Sequence, residues 1–231
     1  MRMRFTPLQI AVFLALLFHV SGAIGILYSP YAAWFIAHTP LTLLLMAVLL
    51  FWNQPKPWKK EWAFLVLCFA VGFGVEVIGV NTGFLFGQYQ YGAVLGPRFL
   101  GVPWLIGINW WVTVSMALSV SHRFSAWALS QMPGAENETD QPHWVAAAQL
   151  IDAALLATFF DWILEPVAMK LGFWQWSNGA IPFYNYICWF LVSLVLVYVS
   201  RKWKRHPANP FALHLLLIES IFFITLRIFL P

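Results

Sequence analysis

The sequence predicts an all-α fold, a polytopic membrane protein in which a bundle of seven transmembrane helices forms a single integral membrane domain over residues 1–231. Hydrophobic residues make up 61% of the 231 positions and charged residues 10%, which excludes a water-soluble globule. Seven apolar stretches are each long enough to cross about 30 Å of hydrocarbon as a helix. Basic residues cluster after alternate stretches, as expected for loops on one side of a membrane.

The predicted spans follow one another with short loops, bounded by turn residues or charges. They lie at roughly 8–27, 33–52, 62–80, 103–121, 144–164, 183–200 and 211–229. Asp152 and Asp161 interrupt the fifth span. The first 25 residues also resemble a secretory signal, because basic residues precede an apolar run and small residues follow it. Cleavage there would leave six spans.

The basic residues predict the orientation of the chain. Ten fall on one side of the predicted topology: Arg2, Arg4, Lys56, Lys59, Lys60, Arg123, Arg201, Lys202, Lys204 and Arg205. Arg98 and Lys170 fall on the other side, and Arg227 is near the end of the last helix. This asymmetry predicts a multi-pass protein of the inner cell membrane with a cytoplasmic N-terminus and an outside C-terminus. Because the basic residues mark topology, the net charge of +4 does not indicate a nucleic-acid partner.

Two outer segments, residues 76–91 and 161–176, carry related sequences. Aligned without a gap, they match Glu76 with Asp161, Gly87 with Gly172, Tyr89 with Trp174, Gln90 with Gln175, and Tyr91 with Trp176. At looser spacing, Pro103, Asn109 and Trp110 follow the first segment, and Pro182, Asn185 and Trp189 follow the second. Both acid-bearing helices run in the same direction. The sequence therefore predicts a weak parallel internal repeat of a helix, an interfacial or re-entrant loop, and a helix.

The acids of these segments are the candidate catalytic residues. Glu76 and Asp161 fall in the predicted outer third of the membrane, and Glu165 shares a helix face with Asp161. A carboxyl group surrounded by hydrocarbon favours its neutral form and can donate a proton, while Tyr and Trp rings stabilise a nearby cation. Together they suit protonation of an alkene to a carbocation, followed by capture. The alternatives are helix packing for the acids and an outer aromatic belt for the rings.

Other chemistries fit the sequence less well. The histidines form no close cluster, so no metal site is predicted, and His19, His38 and His214 are interpreted as packing residues. Cys68 and Cys188 lie inside apolar runs, which excludes a disulfide framework. Residues 132–142 are predicted to form a solvated cytoplasmic loop. The mid-membrane acids Asp152 and Glu219 are interpreted as packing residues, and they leave a proton-coupled transporter as an alternative.

Several short motifs of this chain occur together in one known family. They are Gly74-Val-Glu76, Thr82-Gly83, Phe86-Gly87-x-Tyr89-x-Tyr91, Gly101-Val-Pro103, Asp161, Glu165-Pro166, Trp174-x-Trp176, Ile181-Pro182, Asn185 and Trp189. Over roughly residues 60–200 the sequence resembles the membrane carotenoid biosynthesis proteins, which include carotenoid 1,2-hydratases of γ-carotene-type and bisanhydrobacterioruberin-type substrates. The resemblance implies a hydrophobic polyene substrate in the bilayer. It also implies addition of water across the terminal double bond of an acyclic end group, without a cofactor.

The chemistry of the candidate residues suggests a division of roles. We expect Asp161 or Glu76 to protonate the alkene, and the other acid or Glu165 to orient and deprotonate the water. The substrate-binding candidates are Tyr89, Tyr91, Trp174 and Trp176 around the cation and the polyene, and Asn109 and Asn185 for water or the loops. Two alternatives share the polyene: a protonation-initiated lycopene or γ-carotene cyclase, and a non-catalytic membrane carotenoid-binding protein.

Overall fold

A computed structural model of the chain describes residues 5–131, 143–205 and 208–230. The predicted solvated loop at 132–142 and the basic residues Arg2 and Arg4 lie outside the described residues. The described helices are α1 (Pro7–Tyr28), α2 (Ala32–Ala37), α3 (Thr39–Trp52), α4 (Lys59–Thr82), α5 (Trp104–Ser130), α6 (His143–Lys170), α7 (Phe183–Lys202) and α8 (Ala212–Phe229). The described strands are β1 (Tyr89–Tyr91), β2 (Arg98–Phe99), β3 (Val102–Pro103) and β4 (Trp174–Trp176).

The prediction of an all-α polytopic membrane protein is confirmed. Six described helices are long and apolar enough to cross a membrane, namely α1, α4, α5, α6, α7 and α8. The prediction of one continuous helix over the second span, 33–52, was wrong, because the segment divides into α2 and the 14-residue α3. Pro40 explains the break: it has no N–H for the carbonyl of Ile36, and its ring crowds that carbonyl.

The broken pair α2–α3 still carries the chain from one end of the bundle to the other. Asn209, just before α8, donates from Nδ2 to the carbonyl of Leu50 near the end of α3, at 2.8 Å. Lys60 donates to the carbonyl of Lys204 at 3.1 Å, which brings the start of α4 to the same end. We name this the basic end (residues 53–58, 123–131, 203–205 and 208–211). The opposite strand end comprises residues 83–103 and 171–182.

Strands β1 and β4 pair the two repeated segments with each other. The pairing is antiparallel, with Tyr89 opposite Trp176, Gln90 opposite Gln175, and Tyr91 opposite Trp174. Each tyrosine therefore lies opposite the tryptophan that the alignment matches with the other tyrosine, while the two matched glutamines face each other. A local two-fold axis through the Gln90–Gln175 pair produces this crossed pairing. The matched residues Trp110 and Trp189 also meet, with stacked rings whose centroids are 3.8 Å apart. This arrangement agrees with the predicted parallel repeat.

The backbones of the two segments approach each other very closely beside these strands. Gly92 donates its N–H to the carbonyl of Phe173 at 2.8 Å. A Cβ atom at Gly92 would lie 2.0 Å from the carbonyl oxygen of Gly172, so only glycine fits there. Strands β2 and β3 form a separate two-stranded hairpin that leads directly into α5.

Arg205 is a buried ion-pair residue rather than a solvated marker of topology. Its Nε donates to Glu61 Oε2 at 2.5 Å and its Nη2 to Glu61 Oε1 at 2.8 Å. Trp111 donates its indole N–H to the same carboxylate at 2.8 Å. The count of topology markers at the basic end is therefore smaller than the sequence suggested, since a buried guanidinium held by a carboxylate packs helices together.

The three packing histidines follow the prediction. The Nδ1 atoms of His19, His38 and His214 each lie close to the backbone carbonyl four residues earlier, at 2.8, 2.7 and 3.1 Å.

The two acids that the sequence places in the middle of the membrane, Asp152 and Glu219, differ in burial. Asp152 is exposed on α6, about 27 Å from Lys170 along that helix and thus near the boundary of the hydrocarbon, whereas Glu219 is buried.

Candidate active site

A cavity of about 260 Å³ lies inside the bundle and extends to the strand end. Residues of α1, α2, α3, α4, α5, α6, α7 and α8 line it, and β1 and β4 contribute aromatic side chains. All nine predicted site residues are part of this lining: Glu76, Tyr89, Tyr91, Asn109, Asp161, Glu165, Trp174, Trp176 and Asn185. The structure thus brings together residues that are up to 109 positions apart in the sequence. Their catalytic and binding roles remain predictions.

Glu76 lies on α4, two turns before the helix ends, and is 4% exposed. Its Oε2 accepts hydrogen bonds from the hydroxyl of Tyr89 and, at 2.8 Å, from that of Tyr91. Its Oε1 accepts from the indole N–H of Trp110 at 3.1 Å. Both oxygens therefore have donors supplied by the β1 segment and α5, so the carboxyl group is fixed in the cavity wall.

Glu165 and Asp161 lie one turn apart on α6, and each is 2% exposed. Glu165 Oε2 accepts the indole N–H groups of Trp174 and Trp176, each at 2.9 Å. Asn185 joins the two acids, because its Nδ2 donates to Asp161 Oδ2 at 2.9 Å and to Glu165 Oε1 at 3.3 Å. The amide thus bridges two neighbouring carboxyl groups and fixes the distance between them.

The hydrogen bonds pair the repeated segments differently from the sequence alignment. The alignment matches Glu76 with Asp161. In the second segment, however, Glu165 rather than Asp161 accepts hydrogen bonds from both aromatic residues of the strand. Glu76 accepts from both rings of β1, and Glu165 from both rings of β4. Asp161 accepts one hydrogen bond within the described residues, from Asn185, and its second oxygen remains available to the cavity.

The tyrosines of β1 keep their protons. Burial raises the pKa of Tyr89 and of Tyr91 well above the ordinary value, and the nearby Glu76 carboxyl acts in the same direction. Both hydroxyls therefore remain neutral donors toward Glu76. No salt bridge to Glu76, Asp161 or Glu165 occurs within the described part of the chain, so neutral donors surround all three acids.

The aromatic rings of the strands form a layer over the acids rather than a belt around the protein. Tyr89, Tyr91 and Trp176 are 5%, 8% and 5% exposed, which excludes the belt interpretation for these three. The ring centroids of Tyr89 and Trp176 are 4.9 Å apart, and those of Tyr91 and Trp174 are 5.9 Å apart. A positive charge below this layer would face several electron-rich rings.

Sequence reasoning missed two parts of the site. The repeat matches Trp110 with Trp189, but no local sequence pattern predicts the hydrogen bond from Trp110 to Glu76. The deeper wall of the cavity also escaped prediction: it includes His19 from α1, Phe35 from α2 and Glu219 from α8. Among the residues that the structure describes, no group of three or more His, Cys, Asp or Glu side chains is arranged to hold a metal ion.

Comparisons with known proteins point to one family. The bisanhydrobacterioruberin hydratase of Haloarcula japonica is 26% identical over 142 residues, a stretch that covers 58% of this chain but only 42% of that relative. No solved structure matches the chain. The family model described as "Carotenoid biosynthesis protein" matches residues 35–230. Because that match covers far more than half of this chain, the chain belongs to the carotenoid biosynthesis protein family.

Proposed function

We propose that this protein is a carotenoid 1,2-hydratase, a cofactor-independent hydro-lyase that adds water across the terminal double bond of an acyclic carotenoid end group. The observation that carries the proposal is that three buried acids, Glu76, Asp161 and Glu165, share one aromatic cavity and have no salt bridge within the described residues. The relative from Haloarcula japonica is named a hydratase, which favours capture of a cation by water.

Asp161 is the proton donor in this proposal. Its neighbour Glu165 accepts three hydrogen bonds, from Trp174, Trp176 and Asn185, which suits a group that carries the negative charge. Two bridged carboxyl groups removed from water are most stable with one proton between them, because two negative charges would repel. Asp161, with one donor and an open oxygen, keeps that proton and delivers it to the alkene.

The remaining steps balance atoms and charge. The proton of Asp161 adds to the less substituted carbon of the terminal double bond, and a tertiary carbocation forms at the other carbon. The rings of Tyr89, Tyr91, Trp174 and Trp176 stabilise this cation, at up to about 2 kcal/mol each where water is excluded. Water, held by Asn109 and Asn185, forms the new C–O bond and gives its proton to a carboxylate of the cluster, Glu165 or Asp161. The product is a tertiary alcohol. A proton taken up by Glu165 then passes to Asp161, so the acids regain their starting protonation.

The proposed orientation places the strand end outside the cell. Seven basic residues other than Arg205 lie at or beside the basic end: Lys56, Lys59, Lys60, Arg123, Arg201, Lys202 and Lys204. The positive-inside rule assigns that end to the cytoplasm of the inner cell membrane, with the N-terminus inside and the C-terminus outside. The acids then lie in the outer half of the bilayer, within reach of a polyene end near that interface.

Expression in cells that accumulate lycopene or γ-carotene tests the proposal. The wild-type protein should yield pigment that is heavier by one water per modified end. Asp161→Asn should lower the rate of hydration about 100-fold or more, the usual contribution of a general acid. Asp152→Asn is the matched control, because Asp152 is on the same helix but exposed, and it should leave the rate unchanged.

Each other result overturns the hydratase proposal in a distinct way. A product of unchanged mass with a ring at its end would make the protein a cyclase. Pigment that copurifies with the wild-type protein but stays chemically unaltered would make it a carrier. Equal rates for Asp161→Asn and Asp152→Asn, at equal membrane abundance, would remove the proposed proton donor.

A further inference from the structure

The cavity has a second side that faces lipid. Away from the acids, α1, α2 and α3 supply its wall. Phe18, Trp34 and Leu41 line the cavity and are also 41%, 55% and 62% exposed on the outside of the bundle. Phe18 lies about 17 Å along α1, a depth that corresponds to the middle of the hydrocarbon. This side of the cavity therefore borders the acyl chains rather than water.

The break between α2 and α3 lies in this wall. Residues on both sides of the break line the cavity, with Phe35 before it and Thr39 and Thr42 after it. Toward the strand end, α1 and α2 are in tight contact, because a Cβ atom at Gly25 would lie 2.2 Å from the ring of Phe35. The wall can therefore open only beyond this contact, where Ser21 of α1 lines the cavity together with Thr39 and Thr42 of α3.

The size of the cavity limits how much of a polyene it encloses. Pockets that bury a drug-sized ligand measure roughly 300–1,000 Å³, and this cavity measures about 260 Å³. A carotenoid about as long as the bilayer is thick, roughly 30 Å, is far longer than such a ligand. At the strand end the paired strands and their buried rings cover the cavity. Most of the polyene must therefore leave the cavity on the lipid side.

We propose that the crevice between α1 and the α2–α3 break binds the polyene chain and admits its end group sideways from the bilayer. The occupant is a long apolar isoprenoid, which rests on the proposed function. Phe18, Ser21, Trp34 and Leu41 flank the chain at the mouth of the crevice, and the end group reaches the acids beyond them. The rest of the polyene stays between the lipid acyl chains. The helix break at Pro40 thus provides the entrance through which a bilayer-dissolved substrate reaches a covered site.

Photo-crosslinking tests the crevice without requiring turnover. A benzophenone amino acid is placed at Leu41 or, as the matched control, at Leu44. Both positions are exposed on α3, but Leu44 lies outside the described cavity lining. In proteoliposomes that contain lycopene, irradiation should attach the polyene at position 41 at least about tenfold more than at position 44. Equal attachment at the two positions overturns the crevice.

A steric variant provides a second readout. Leu41→Trp should lower the hydration rate at limiting polyene about tenfold or more, because it fills the entrance, and should leave the rate at saturating polyene nearly unchanged. Leu44→Trp should change neither. If both variants behave alike while both remain folded in thermal unfolding, the crevice is not the entrance. Attachment at position 41 without any hydrated product would retain the crevice and overturn the hydratase, so the two proposals fail separately.

Discussion

The two ends of α4 carry buried acids in opposite electrostatic settings. Glu61, at the basic end, is paired with the guanidinium of Arg205 and accepts the indole N–H of Trp111. Glu76, fifteen residues or about 22 Å further along the helix, accepts from Trp110 and two tyrosines and has no salt bridge within the described residues.

The difference separates an acid that packs helices from the acids to which the proposed function assigns catalysis. The buried guanidinium of Arg205 holds Glu61 between the helices, so we interpret Glu61 as a packing residue. In the part of the chain that the structure describes, Glu76, Asp161 and Glu165 have neutral donors only, and all three face a cavity. In the proposed function, these acids exchange protons with the ligand. Burial and the lack of a paired cation do not by themselves identify a catalytic acid, because Glu219 shares both features within the described residues. The hydrogen-bond donors from the aromatic and asparagine side chains set the other three acids apart.

The largest expected effect on stability comes from replacing one partner of the buried ion pair. Glu61→Gln leaves the guanidinium of Arg205 buried without its counterion and should lower the free energy of unfolding by about 3–5 kcal/mol. Thermal unfolding in detergent measures this. The double variant Glu61→Leu/Arg205→Leu removes both charges and should recover most of the loss. If the double variant is as unstable as the single one, the pair is not held together by its charges.

The next largest effect concerns the neutral hydrogen-bond donors around the cavity acid Glu165. Trp176→Phe removes one of the two indole N–H groups on Glu165. Because hydrogen bonds to a charged group contribute about 1.5–3 kcal/mol, the hydration rate should fall roughly 10- to 100-fold. Trp127→Phe, at an exposed position near the basic end, is the control and should have no effect. A loss of stability equal to the loss of rate would instead make Trp176 a packing residue.

The sequence predicted the cavity residues because the repeat leaves a visible trace. Glu76 and Asp161 match in the alignment, as do the rings of β1 and β4, and a two-fold arrangement brings matched residues together. Asn185 was found in the same way. What the alignment could not supply is the hydrogen bonding. Glu165 rather than Asp161 receives the two indoles, since the donors on β4 reach the acid that is one turn nearer.

Two other features could not be predicted from the sequence: the ion pair between Glu61 and Arg205, and the break between α2 and α3. Glu61 and Arg205 are 144 residues apart, and Arg205 stands in a basic run that is typical of a cytoplasmic loop. Only the tertiary fold shows that this one member of the run is buried. The break at His38 was signalled by Pro40, but the apolar composition of 33–52 favoured a single span. An apolar composition indicates that a segment can cross the membrane, but it does not show whether the segment is one continuous helix.

A smaller effect tests the strand pairing that covers the acids. Gly92→Ala places a methyl group against the carbonyl of Gly172 and forces β1 and β4 apart. Overpacking of this kind should cost about 1–3 kcal/mol in stability, and the hydration rate should fall because the rings shift. Gly74→Ala is the control, because nothing lies within 4 Å of its added Cβ atom and the residue is inside α4. That variant should be neutral or slightly more stable.

The smallest effect concerns the stacked pair on the two-fold axis. Trp110 donates to Glu76, whereas Trp189 stacks on Trp110 and has no side-chain hydrogen bond among the described residues. The two residues therefore separate hydrogen bonding from ring packing. A double-mutant cycle with Trp110→Leu and Trp189→Leu should give a coupling energy of about 0.5–1.5 kcal/mol in the free energy of unfolding. Trp189→Leu alone should also slow hydration, because Trp110 then loses the ring that orients its N–H. If the coupling is present but Trp189→Leu leaves hydration unchanged, the stack supports the bundle and not Glu76. The cavity acids would then depend on their direct donors alone, just as Glu61 depends on Arg205.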